Sequence, residues 1–423
     1  METNNYPENG SVVIVDDLIE EALPLMNVLS KIDIAYKYFS GKADELPPDD
    51  KPIKNVRIVF LDIELEGMQG VTEDKTKLSA LAKVLSRIIN KKSLPYIIIA
   101  WTKHGELVKG LDTYLSEIKP LFILAIDKSE CKKDDGSFNI DKISEKLKEK
   151  IKDFGVFQFF LIWQNISNAS SIELINDIAS IFSFDNQWND NTGSILKMLA
   201  KGYAGKHADE NIYRYAMLSF NNLFIDIIEK NIIFPTTSIN SKEYKIEDIE
   251  YKIEDIEGEL NRRLHISLES NQKPLPGNIY MYDSDNLPQL ISLDKSEMVK
   301  DILNNASESD QNNNIKLILL EVSPFCDYAQ NKWKRNRLLP GIICPKSLKN
   351  SIKKADFIYR TPLFNLEQGL VYLVFNIKYL TSVSLDLLQN KSSDMRIRKE
   401  LLNDIQTKIA AHFNRLGITS IDD

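Results

Sequence analysis

Residues 11–17 read SVVIVDD, a run of β-branched residues stopped by two carboxylates. An unbroken apolar run of this length suits a strand covered on both faces, as in a parallel sheet, and not one that alternates between core and water. The pattern recurs along the chain. Ile32–Phe39 forms a weaker second strand, and Val56–Leu61 a third that ends at Asp62. Tyr96–Trp101 (YIIIAW) is a fourth, ending at Thr102, and Leu121–Ile126 (LFILAI) a fifth, ending at Asp127 and Lys128. Helical patterns lie between or after them at Leu18–Ser30, Leu78–Asn90, Gly105–Ile118 and Ile140–Ile151. Alternating strands and helices predict an α/β domain over residues 10–152, with a five-stranded parallel sheet.

Residues 153–270 change character. Gly155–Ile166, Ile172–Phe182, Gly193–Tyr203 and His207–Glu229 all read as helices. Within this region YKIEDIE at 244–250 repeats at 251–257, placing Ile246, Ile249, Ile253 and Ile256 at heptad spacing. Two heptads are short for an independent coiled coil. The repeat is either a duplicated surface helix or a short helix over residues 243–257 that forms a homo-oligomer or bridges domains. Asn271–Pro276 reads as a linker. Residues 277–423 are β-rich, at Ile279–Tyr282, Gln289–Leu293, Ile315–Val322, Gly341–Cys344, Asp356–Tyr359 and Gly369–Ile377, with a terminal helix over Met395–Arg415. A barrel or sandwich is expected there.

Composition narrows the function classes. The chain has 423 residues, 43% of them hydrophobic and 27% charged, so it can bury a core. Lys and Arg number 53 against 61 Asp and Glu, a net charge of −8, which argues against a chain built to coat nucleic acid or anionic lipid. The longest apolar runs fall far short of the ~20 residues of a membrane span, and Met1–Gly10 lacks the apolar core of a signal peptide. A cytoplasmic protein with no membrane and no nucleic-acid partner is expected. Cys131, Cys326 and Cys344 show no CxxC pair, and the four histidines show no metal-ligand spacing.

The candidate chemistry sits at the strand ends. In an open parallel sheet, ligands bind beyond the carboxyl ends of the strands, where strand order reverses. Asp16, Asp17, Asp62, Thr102 and Lys128 would converge on that rim. Carboxylates gathered so closely call for a hard cation such as Mg²⁺. A carboxylate can also act as a nucleophile towards phosphorus, with the cation, the ammonium and the hydroxyl neutralising the phosphoryl oxygens.

This arrangement resembles the receiver domain of two-component response regulators. That family carries an acidic pair after its first strand, a phospho-accepting Asp after the third, a Ser or Thr after the fourth and a Lys after the fifth. The matching positions are Asp16 and Asp17, Asp62, Thr102, and Lys128, separated by 45, 40 and 26 residues. The resemblance implies a flavodoxin-like fold, Asp62 as phospho-acceptor, Thr102 and Lys128 as its helpers, and Mg²⁺ held by Asp16, Asp17 and Asp62. It implies a cognate histidine kinase as partner, and self-phosphorylation in place of substrate turnover. There are departures. Glu66 stands where a proline usually follows the acceptor, Ser129 where one follows the Lys, and Ala125 where an aromatic switch residue is common. Lys103 and His104 follow the Thr, where a small residue is usual.

A receiver joined to a long region without a DNA-reading motif is similar in kind to the receiver proteins of the phage-defence two-component system called Detocs. That likeness implies a response regulator, or a phosphate buffer lacking an effector. Two other readings stand beside it. One is a pseudo-receiver scaffold. The other is an effector enzyme sited at Ser323, Cys326 and Asp327, with His412 as base or with Lys332, Lys334, Arg335 and Arg337 as an anion site.

Overall fold

The computed structural model describes residues 12–65, 74–90, 95–103, 105–152, 156–232, 252–268, 275–282, 294–304, 315–330, 332–388 and 391–414. These fall into two compact units, the first ending at Asn168 and the second beginning at Ala169.

The first unit is the α/β sheet that the sequence predicts. Its elements are β1 (Val12–Val15), α1 (Ile19–Lys31), β2 (Tyr36–Phe39), β3 (Ile58–Leu61), α2 (Asp74–Ile88), β4 (Ile97–Thr102), β5 (Ile123–Asp127) and α3 (Ile140–Lys152). All five strands are parallel, in the order β2-β1-β3-β4-β5, which is the flavodoxin-like order. Period-2 alternation explains why β1 is apolar throughout. Val12 and Ile14 pack with Ala22, Leu25 and Leu29 of α1 and Ile143 and Leu147 of α3. Val13 and Val15 face the other way, towards Leu78, Leu81 and Leu85 of α2.

One local feature departs from the expected pattern. Gly105–Tyr114, expected as part of a helix over 105–118, is a 3₁₀ segment. Its Val108 and Leu111 still reach the core, since a three-residue step fits either helix type. Between β2 and β3 the chain makes turns and bends over residues 40–57 and no helix. This link buries Leu46 and Val56. It is held by Arg87 of α2, whose guanidinium donates to the carbonyls of Ala43 (2.6 Å), Leu46 (3.3 Å) and Pro47 (2.7 and 3.1 Å) and lies 3.0 Å from the Asp49 carboxylate.

The helical region contains α4 (Val156–Ala179), α5 (Trp188–Ala204) and α6 (Ile212–Ile232). The stretches 155–166 and 172–182, expected as two helices, merge into α4, and the unit boundary falls inside it. Helices α5 and α6 approach closely through Ala200, Ala204 and Ala216. The YKIEDIE repeat lies largely outside the described residues. Helix α7 (Ile253–His265) takes up its second copy, with Ile253 half exposed.

The second unit then builds a nine-stranded antiparallel sheet from β6 (Ile266–Ser267), β7 (Asn278–Met281), helix α8 (Lys295–Ile302), β8 (Lys316–Glu321), β9 (Arg335–Pro345), β10 (Ile358–Arg360), β11 (Phe364–Leu366), β12 (Gly369–Asn376), β13 (Thr381–Ser384) and β14 (Met395–Ile397). The order is β10-β12-β9-β8-β7-β14-β6, with β11 added on β12 and β13 on β9, and among the described residues the path is open at both ends, a half-barrel within the β-rich fold that the sequence predicts. Met395–Arg415, expected as helix throughout, begins as β14 and becomes helical at Lys399–Phe413. Expected strand Gln289–Leu293 lies outside the described residues. One face of the sheet, with Ile318, Leu320, Leu373 and Phe375, is covered by Leu401, Leu402 and Ile405 of the terminal helix. The other, with Leu317, Ile342 and Val374, is covered by Met298, Val299 and Ile302 of α8. Gly341 lies on β9 opposite Phe375 of the paired strand β12. A Cβ there would stand 2.4 Å from the Val374 carbonyl oxygen, so only glycine fits without a backbone shift.

Candidate functional site at the strand ends

The order reversal lies between β2-β1 and β3-β4-β5, so the crevice beyond β1 and β3 is where a ligand is expected. Asp16 leaves β1 with its N–H still bonded to the Phe39 carbonyl (3.1 Å), and its own carbonyl accepts from the Tyr38 hydroxyl (2.6 Å). One Asp16 carboxylate oxygen, Oδ1, accepts from Leu18 N–H (3.0 Å), an Asx turn that starts α1. Asp62 extends the β3–β1 ladder by donating its N–H to the Val15 carbonyl (2.8 Å), and its Oδ1 accepts from Glu64 N–H (3.2 Å). Both carboxylates are thereby fixed in place while their Oδ2 atoms stay available.

Lys128 fills the space between those atoms. Its N–H donates to the Thr102 carbonyl (3.2 Å), extending the β4–β5 ladder one residue past Asp127. Its ammonium donates to Asp16 Oδ2 (2.8 Å), Asp62 Oδ2 (2.8 Å) and Glu21 Oε2 (2.9 Å). Asp16, Thr102 and Lys128 are each 1% exposed and Asp62 6%, so this is a buried ionic cluster. Thr102 closes β4 on the same rim, in register with Asp127. Asp17 is half-buried, and Asp16, Asp17 and Asp62 each offer a carboxylate oxygen within 4.8 Å of the others. All five sequence-derived site residues therefore lie on one rim.

Glu21 is the partner that the sequence did not reveal. It sits one turn into α1, four residues after Asp17, a spacing that brings it back over the strand end once the helix starts there. Besides Lys128, it receives Lys103 (3.3 Å) and has Lys132 at 3.9 Å. The backbone oxygen of Glu21 accepts from the Trp101 indole (3.2 Å), tying α1 to β4.

The titration behaviour follows from burial and charge. Burial pushes the Asp16 carboxyl up to about 6, with the Asp62 charge adding to the rise and Lys128 opposing it. For Lys128 burial favours the neutral amine, but the Asp62 and Asp16 charges outweigh it and raise its affinity for the proton. For Glu21 burial acts upward, yet its bonds to Lys128 and Lys103 hold it below the ordinary range. Three carboxylates bond one buried ammonium, and the Asp17 carboxylate lies beside two of them. At 4.8 Å and an effective dielectric of 20, two like charges repel by about 3.5 kcal/mol. Asp16, Asp17 and Asp62 can hold a metal ion, since an all-oxygen anionic donor set suits a hard divalent cation.

Cys326 and Asp327 belong elsewhere. They lie in a short helix, Phe325–Ala329, where the exposed Cys326 thiol lies 4.0 Å from the Asp327 carboxylate. The His412 ring packs edge-on against Phe413, and among the described residues no hydrogen bond joins it to Cys326. Arg337 lies 3.7 Å from Asp327. No family model, curated protein or solved structure matches the chain. No described helix is long and apolar enough to cross a membrane.

Proposed function

We propose that the first unit is a phosphoryl-accepting receiver domain. The observation that carries this reading is the Lys128 ammonium, held 2.8 Å from both Asp16 and Asp62 at the point where strand order reverses. In this reading an Asp62 carboxylate oxygen attacks the phosphorus of a phosphohistidine on a histidine kinase. The P–N bond breaks, the histidine nitrogen leaves with the electron pair, and Asp62 becomes an acyl phosphate. Lys128 shifts from Asp62 Oδ2 to a phosphoryl oxygen while Asp16 and Glu21 keep hold of it. The Thr102 hydroxyl donates to another oxygen from the adjacent strand. Asp16, Asp17 and Asp62 would hold Mg²⁺, which when bound supplies charge neutralisation at the phosphoryl group.

The setting that the sequence resembles, a phage-defence pair, would make this protein the acceptor or buffer for the sensing kinase. Ala125 supports the buffering side of that proposal. It is exposed on β5 and offers no aromatic ring to relay a Thr102 movement.

Intact mass after incubation with acetyl phosphate tests the reading. Wild type with Mg²⁺ gains one phosphoryl group, and Asp62→Asn gains none. An adduct that forms equally in Asp62→Asn removes Asp62 from the role, and one that forms equally with EDTA removes the metal from it. A parallel incubation with a phosphorylated histidine kinase covers donors that acetyl phosphate does not mimic.

A further inference from the structure

A concave pocket of about 550 Å³ opens in the second unit between the 3₁₀ turn Lys346–Ser351 and β10. Four cations line it, Lys349, Lys353, Lys354 and Arg360, around a floor that includes Ile352 and Ile358. No carboxylate lines it. Among the described residues none of the four forms an ion pair, in a chain where acidic residues outnumber basic ones by 61 to 53. The neighbouring acids do not change this. Glu254 is engaged by Lys346, with the Lys349 charge adding to its field, and Asp356 lies on the same loop outside the lining.

Two of the cations are held in position before any ligand arrives. Lys353 donates to the Lys300 carbonyl (2.6 Å), and the Arg360 guanidinium stacks over the Tyr372 ring at 5.3 Å. A stacked guanidinium keeps its edge free to donate to oxyanions. Four like charges around one concavity make it a focus of positive potential that attracts an anion.

We propose that this pocket binds a compact polyphosphate, a small molecule carrying two or more linked phosphoryl groups. One phosphoryl group brings about −2 charge at neutral pH, so two match four cations. The volume falls within the roughly 300–1,000 Å³ of small-molecule sites. A nucleic-acid strand needs an extended basic track, whereas these residues surround a single concavity. The site is separate from Asp62 and stands whatever that residue does.

Isothermal titration of the full chain tests it, with pyrophosphate, tripolyphosphate and ATP as probes and EDTA present to silence divalent-dependent binding at the acidic cluster. The expected result is one site per chain, with pyrophosphate bound at least about tenfold more tightly than orthophosphate and affinity falling as salt rises. ATP binding more tightly than tripolyphosphate identifies a nucleotide, and the reverse an inorganic chain; both support the proposal. Lys354→Ala combined with Arg360→Ala changes two exposed residues, so the fold should persist. It should weaken binding at least about tenfold, while Lys332→Ala with Lys334→Ala leaves it unchanged. Absence of saturable binding at low salt, equal affinity for orthophosphate and pyrophosphate, an indifferent Lys354/Arg360 variant, or tighter binding of single-stranded DNA than of ATP would each overturn it.

Discussion

Asp16→Asn should stabilise the first unit at neutral pH while removing one carboxylate of the candidate metal site. The Asp16 carboxyl titrates at about 6 in the folded chain, against 3.8 for an ordinary Asp. Above pH 6 the folded protein therefore holds an ionised group that burial disfavours, even with Lys128 beside it. The difference of about two units corresponds to about 3 kcal/mol. The sign is that of an acid whose affinity for its proton rises on folding. Between pH 3.8 and 6 the native state binds more protons than the unfolded state, so stability falls as pH rises through that window and stays lower above it. Asparagine removes the buried charge and keeps an oxygen for Leu18 N–H, but it turns its amide nitrogen, a donor, towards the Lys128 ammonium, so the figure of about 3 kcal/mol is an upper bound on the gain. Hydrogen exchange of the β1 and β3 amides, in EDTA, is a suitable assay because it reports on this unit alone. At pH 7.5 the variant should be protected up to about a hundredfold more than wild type, and the gain should shrink towards nothing at pH 4. Adding Mg²⁺ should then protect wild type, by about 2.7 kcal/mol at a hundred times its Kd, and leave the variant unchanged. A variant no better protected than wild type at pH 7.5, or one with the same gain at pH 4, refutes the account of a desolvated carboxylate.

Other substitutions probe neighbouring contacts. Glu21→Gln removes a carboxylate that binds Lys128 and Lys103, and should cost about 1 kcal/mol at pH 7 in the same exchange assay. Because Glu21 is held below the ordinary range, its contribution is present above its unfolded value and is lost as pH falls through its lowered folded value, so the variant and wild type should converge at acid pH. Gly341→Ala drives a methyl into the Val374 carbonyl at 2.4 Å and should lower the stability of the second unit by about 1–3 kcal/mol or more, read by thermal unfolding. An unchanged melting temperature would show that β9 and β12 can separate freely there.

The sequence carried the candidate site because each of its five residues ends a strand, and strand ends are marked by the switch from apolar to polar. Asp16, Asp62 and Lys128 needed only the sheet order to meet. Glu21 needed the direction in which α1 leaves β1, which a linear pattern does not contain. The same limit explains the misjudged elements. Three-residue spacing at Val108 and Leu111 suits a 3₁₀ segment as well as an α-helix. Met395–Ile397 looks continuous with the helix that follows, yet tertiary pairing with β6 and β7 draws it into the sheet. Whether the antiparallel strands would close was not legible either, because closure depends on what the edge strands β10 and β6 meet.

The clamp that Arg87 places on the link between β2 and β3 has a consequence for how this chain can change over generations. Its donors engage backbone carbonyls of Ala43, Leu46 and Pro47, groups that every residue possesses. Most positions in the link are thus free to drift in identity, with Gly41 constrained by its positive φ and by Leu65 against it, and Leu46 and Val56 by burial. Arg87 has no such freedom, since a lysine offers a point charge in place of a planar fork and could satisfy only part of that set. Divergence in this region should concentrate in the loop being held and spare the side chain that holds it.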